Sequence, residues 1–178
     1  MKRLLCALAL VVFAAAPAWA DPKSDLASSM IQFSKATSFH MSATSRGKTV
    51  EVDMVKPGKV HIVVAPMEMI KIDNTMYVKM GGTWRQFTLP GMDRIADMYQ
   101  GALDKSTHPT DDMVVVDLGM KTVEGATLHA YTIKNKGDTG PTTLYIDDKG
   151  FPARVETSDG SVVRFSNING PIAINAPV

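Results

Sequence analysis

The chain predicts an α+β domain built on a single strongly curved antiparallel sheet, a half-open β-barrel, with helices covering its concave apolar face. Three observations carry this. Most of the chain alternates apolar and polar residues with a period of two. Turns rich in glycine, proline and aspartate punctuate the alternation at short intervals. Two stretches with helical period, at 24–37 and 92–103, interrupt it. About ten twisted strands in one sheet tend to curl or close, and a curled sheet needs helices to fill its apolar trough.

The first element is a leader. "MKRLLCALALVVFAAAPAWA" has Lys2 and Arg3, an apolar run from Leu4 to Ala16, and the Ala18-Trp19-Ala20 triplet. That is the three-part grammar of a secretory signal, with cleavage expected after Ala20. The remainder, 21–178, reads as a single domain. Cys6, the one cysteine, falls in the leader. The mature chain is therefore expected to lack disulfides, thiolate nucleophiles and a lipid-attachment cysteine. Nineteen basic residues less Lys2 and Arg3, against 18 acidic, leave a formal charge of −1. With no basic cluster along the chain, a nucleic-acid partner is not expected.

Residues 24–37 read as a helix, with Ser24 as a candidate cap. Leu26, Met30 and Phe33 form one stripe and Ile31 sits at its edge. From Ser38 the period drops to two. Phe39, Met41 and Ala43 alternate with polar neighbours, and Arg46-Gly47 turns. Val50, Val52 and Met54 follow, then the Lys56-Pro57-Gly58-Lys59 turn. Val60, Ile62 and Val64 end at Pro66. Ile70 and Ile72 precede the Asp73-Asn74 turn. Met76, Val78 and Met80 lead to Gly81-Gly82 and a short strand from Trp84 to Phe87. The expected apolar face collects Val50, Val52, Met54, Val60, Ile62, Ile70, Ile72, Met76, Val78 and Met80.

Residues 92–103 read as the second helix, with Ile95 and Met98 on its apolar side. Strands resume at 113–123, 127–133, 142–146, 153–157 and 161–165. The tail from Asn167 reads as a loop with a short edge strand.

Catalytic signatures are missing. His40, His61, His108 and His129 have no metal-ligand spacing, and no G-x-S-x-G elbow occurs. "SRGKT" at 45–49 ends like a phosphate loop, but its first glycine position is Ser42 and a strand follows. Asp111-Asp112 and Asp147-Asp148 sit in turn-like sequence, where aspartate bonds the nearby backbone. Eleven methionines follow Met1. Several occupy the same alternating positions as valine and isoleucine and read as lining, because methionine adapts to varied apolar shapes. No enzyme, cofactor or metal site is expected. Copper binding through methionine and histidine ranks behind lining.

In order, the chain presents "KATSFHMSA" after its first helix, "VKPGKV", "IKIDNTMYVKMGGTWRQF", a second helix, "DDKGFPARVE" and "RFSNINGPIAINAP". This series resembles the LolA/LolB-like envelope superfamily, and within it the LppX/LprG-type lipid-binding proteins. The resemblance implies a half-open sheet covered by helices, an apolar cavity between them, and carriage of lipids, acyl chains or lipoproteins without catalysis. The expected role is a soluble periplasmic carrier. Its expected lining is Met30, Phe33, Val52, Met54, Ile62, Ile72, Met76, Val78, Met80, Trp84, Ile95 and Met98. A monomer is expected, with a lipid or other hydrophobic molecule as ligand and an envelope lipoprotein or membrane protein as a further candidate partner. The alternative is an envelope interaction or sensor module on the same fold.

Overall fold

The structure, a computed structural model, describes residues 21–88 and 112–177. The leader and the expected helix at 92–103, with Ile95, Met98 and His108, lie outside the described residues.

One helix and eleven strands make up the described chain. They are α1 (Pro22–Ser34), β1 (Ser38–Ser45), β2 (Lys48–Val55), β3 (Lys59–Val64), β4 (Met67–Ile72), β5 (Thr75–Met80), β6 (Thr83–Thr88), β7 (Val114–Val123), β8 (Ala126–Lys134), β9 (Thr142–Ile146), β10 (Pro152–Thr157) and β11 (Val162–Ser166). All strands join one antiparallel sheet in the order β6-β5-β4-β3-β2-β1-β11-β10-β9-β8-β7. The sheet is not closed. It consists of two meanders, β1–β6 and β7–β11, sewn together where β1 pairs with β11. Met41 opposite Phe165 and Ala43 opposite Val163 set that register.

Helix α1 starts earlier than the sequence suggests. Asp21, not Ser24, is the cap, and its carboxylate accepts weakly from the Lys23 N–H at 3.4 Å. Pro22 occupies the first turn, where its missing N–H costs nothing. The helix ends at Ser34 rather than Thr37, and the Ala36 N–H folds back onto the Phe33 carbonyl at 2.9 Å.

The helix buries Leu26, Ser29 and Phe33 against what we term the inner face of the sheet. Leu26 and Met30 join Tyr131, Leu144, Ile146, Val115, Ile133 and Val155, from β7 to β10, and Met113 just before β7. Phe33 joins Phe39, Met41, Met54 and Phe165, from β1, β2 and β11. Leu26 and Phe33 are about 10 Å apart along the helix axis. The strands they gather, β2 through β7, would span about 29 Å if flat. The residues clustered with α1 thus come from strands on both sides of the β1–β11 seam. Burial of each large apolar side chain here contributes on the order of 1.5–3 kcal/mol.

Two features close the outer face. The β7–β8 hairpin carries a bulge between Asp117 and Gly119. Its tip brings Glu124 to Arg154 of β10 and Arg164 of β11. The tail forms no strand. Ser38 Oγ donates to the Gly170 carbonyl at 2.7 Å, and Pro177 lies beside Tyr77 and Trp84. Seven residues thus cross from β1 to β5 and β6, about 19 Å, which requires a nearly extended chain. Ile174, midway, is 5 % exposed.

Candidate ligand-binding site

In an antiparallel ladder, directly opposed residues point to the same side. The register therefore assigns each strand residue to a face. From β1 outward, one inner row runs Met41, Val52, Ile62, Met69, Val78, Arg85. The next runs Phe39, Met54, Val60, Lys71, Met76, Phe87. Val64, Met67, Met80 and Thr83 extend the same face toward the far rim.

Helix α1 covers only part of this surface. Among the described residues, the apolar clusters holding helix side chains reach Met54 of β2 and include nothing from β3–β6. Beyond them lies an apolar wall. Val60, Ile62, Val64, Met69, Met76 and Val78 are half-buried. Met67, Met80 and Phe87 are exposed, at 43 %, 55 % and 39 %. Such a surface can bind an apolar chain by removing it from water, and its methionines can adapt to the chain's shape.

Most of the expected lining falls on this face. Met30 and Phe33 come from α1, where Phe33 is core. Val52, Met54, Ile62, Met76, Val78 and Met80 lie on the inner side of their strands. Two residues do not. Ile72 is opposed to Lys59 and Thr75, and Trp84 to Lys79, so both are on the outer face. The reason is the length of the loops. A two-residue turn makes the residues on either side of it partners, so Met67 shares the face of Val64, and Thr83 that of Met80. Strand β4, MEMIKI, is apolar on both phases, and Ile70 and Ile72 take the outer one. Met69 and Phe87 take inner positions for the same reason. The signal that finds them is the two-residue spacing of Ala65-Pro66 and Gly81-Gly82, carried through the alternation.

The outer face carries several paired polar groups. His40 Nδ1 meets Asp53 at 2.7 Å, and His61 Nε2 meets Glu68 at 3.1 Å. Lys79 donates to the second Glu68 oxygen at 3.0 Å and lies over the Trp84 ring at 5.5 Å. Hydrogen bonds from Lys79 and His61 lower the Glu68 pKa. A depression of about 400 Å3 lies between Tyr77, Trp84, Gln86 and Pro177.

One polar cluster sits on the inner face, under the start of α1. His129 Nε2 is 2.7 Å from Asp117, and its ring stacks on Tyr131 at 4.6 Å. The Tyr131 hydroxyl donates to Asp25 of the helix at 3.2 Å. Burial, then the Asp25 charge, raise its pKa to about 12. The Gly119 N–H, then His129, lower that of Asp117. This arrangement anchors the helix to β7 and β8. Among the described residues, no group of three or more His, Cys, Asp or Glu is arranged to hold a metal ion.

No family model matches the chain, and no curated protein matches it. Solved structures do. LprF from Mycobacterium bovis superposes with a TM-score of 0.63 over 88 % of this chain and 96 % of its own, at 18 % identity. The Mycobacterium tuberculosis lipoprotein LppX gives 0.62 over 86 % and 98 %, at 15 % identity. This chain has the LprF and LppX fold.

Proposed function

We propose that the protein is a periplasmic carrier or binder of a lipid or acyl chain, soluble after removal of its leader at Ala20, monomeric and without catalysis. The observation that carries this is the apolar wall that starts on β2, where the helix cluster ends at Met54, and continues over β3–β6 beyond the reach of α1. Its residues are Val52, Met54, Val60, Ile62, Met69, Met76 and Val78, with Met80 and Phe87 toward the rim. Ile95 and Met98 complete the lining in this reading, while Ile72 and Trp84 drop out of it. The shared fold with LppX, a lipoprotein, supports a place in the cell envelope. Burying ten methylenes contributes about 8 kcal/mol before the cost of immobilising the chain, enough for one acyl tail to hold. Native mass spectrometry of protein purified from its periplasm is expected to show a co-purified lipid. Delipidated protein that neither carries nor rebinds an acyl-chain probe overturns the reading.

A second reading is favoured by one observation. The edge strand β7 exposes Val114, Val116, Leu118 and Met120 at 40–60 %. An apolar edge with no neighbouring strand among the described residues can take a strand from a partner protein of the envelope. A β7 replaced at these four positions by threonine tests it. Loss of a partner without loss of acyl-probe binding supports the interaction module over the carrier.

A further inference from the structure

We infer that the ligand of the inner wall is an anionic amphiphile, a long-chain carboxylate, whose head group is held by Lys71 and Arg85. This rests on the carrier reading above. Strands β2–β6 sort their charges by face. Their carboxylates, Glu51, Asp53 and Glu68, all lie on the outer face, opposed to Ser42, to His40 and His61, and to Lys79. The inner face of the same strands carries Lys48, Lys71 and Arg85 and no acid.

Of the two outer cations, Lys79 has its carboxylate partner in Glu68 and Lys59 stands at the strand end opposite Ile72. The inner ones have none among the described residues. Lys71 is half-buried between Val60 and Met76, and its closest acceptor is the Gly58 carbonyl at 3.5 Å, the outer limit of a hydrogen bond. Arg85 stands exposed on the edge strand, opposite Val78. Lys48 is exposed at the far rim of β2. An ammonium drawn into apolar surroundings gains most from an anion that completes its hydrogen bonds.

Lys71 and Arg85 stand two strands and one pleat repeat apart, about 12 Å between Cα atoms. Both side chains are long enough for their charged ends to meet at one carboxylate above Met76 and Val78. From there an acyl chain runs over Met69, Ile62 and Val52 toward Met54, where the helix cluster begins. Head and tail thus find complementary surfaces in a single direction across the sheet.

The test compares oleate with oleyl alcohol, which share a chain and differ in head charge, on delipidated wild type, Lys71→Met, Arg85→Met and the double variant. Wild type is expected to bind oleate about tenfold more tightly than the alcohol, the scale of a charge-assisted contact. That ratio is expected to fall toward one in the double variant, and in wild type as salt is raised to 1 M. Equal binding of both ligands by wild type overturns the head-group assignment and leaves the apolar wall standing. Binding of neither overturns both. Should the variants fold poorly, the wild-type ratio and its salt dependence decide alone.

Discussion

Glu124, at the tip of the β7–β8 hairpin, accepts from Arg154 Nη1 at 2.8 Å across 30 positions of sequence. The same carboxylate accepts from Arg164 Nε at 3.1 Å, 40 positions away. One side chain therefore ties the hairpin tip to two strands beyond its own neighbour β9.

That clamp sets an acid response. The hydrogen bond from Arg164, then that from Arg154, lower the Glu124 pKa to about 2 from an ordinary 4.5. A depressed folded-state pKa contributes stability that is fully present above the unfolded value and is lost as pH falls through the folded one. The stability difference between wild type and Glu124→Gln is expected to be constant above about pH 5 and to shrink between about pH 4.5 and 2. Urea melts of both proteins at stepped pH check this. A difference that stays flat down to pH 2 counts against the clamp.

Phe33 is the hinge of the aromatic cluster. Its ring centroid is 5.0 Å from those of both Phe39 and Phe165, and it is 4 % exposed. Phe33→Ala is expected to cost about 3–5 kcal/mol in denaturant unfolding, because a cavity remains between helix and sheet. A loss below 1 kcal/mol contradicts the packing.

Asn169 has a positive φ of 58° and accepts from the Thr37 N–H at 2.8 Å. It ties the chain after β11 to the entry of β1, 132 positions earlier. Asn169→Ala loses the acceptor and strains the backbone, for an expected cost of about 2 kcal/mol. Asn169→Asp keeps the oxygen and tolerates the conformation, and is expected to cost less than half of that. Thermal melts rank the three proteins.

The two faces of β3–β6 are separable by mutation. Ile62→Asp and Met69→Asp place a carboxylate on the inner wall and are expected to weaken an acyl-chain probe more than about tenfold, since burying an unpaired charge costs several kcal/mol. Ile72→Thr and Trp84→Phe act on the outer face, and probe affinity is expected to change less than about twofold. Equal loss from both sets contradicts the face assignment.

Much of the fold is legible in the residues. The two-residue period marks the strands, and Gly81 and Gly82, with φ of 57° and 85°, form the tight hairpin turn that two adjacent glycines suggest. Strand β4 shows where this stops. Its apolar residues sit on both phases, so local pattern cannot say whether Met69 or Ile70 faces inward. The path of the tail was also hidden, because it depends on contacts with residues far along the chain; the start of α1, by contrast, is marked locally by Asp21 and Pro22.

By itself, then, the sequence determined the strands, the turns, α1 with its Leu26–Phe33 stripe, and the chemistry available. These follow from backbone sterics and from side-chain periodicity, which act over a few residues. The tertiary structure decided which face each side chain joins, that β1 pairs with β11, and how far α1 reaches across the sheet. Those are set by hydrogen-bond register and by packing between distant segments, where one residue of slip exchanges the inner wall for the outer face. Ile72 and Trp84 belong to the outer face on that account, and Lys71 and Arg85 stand as the cations of the inner one.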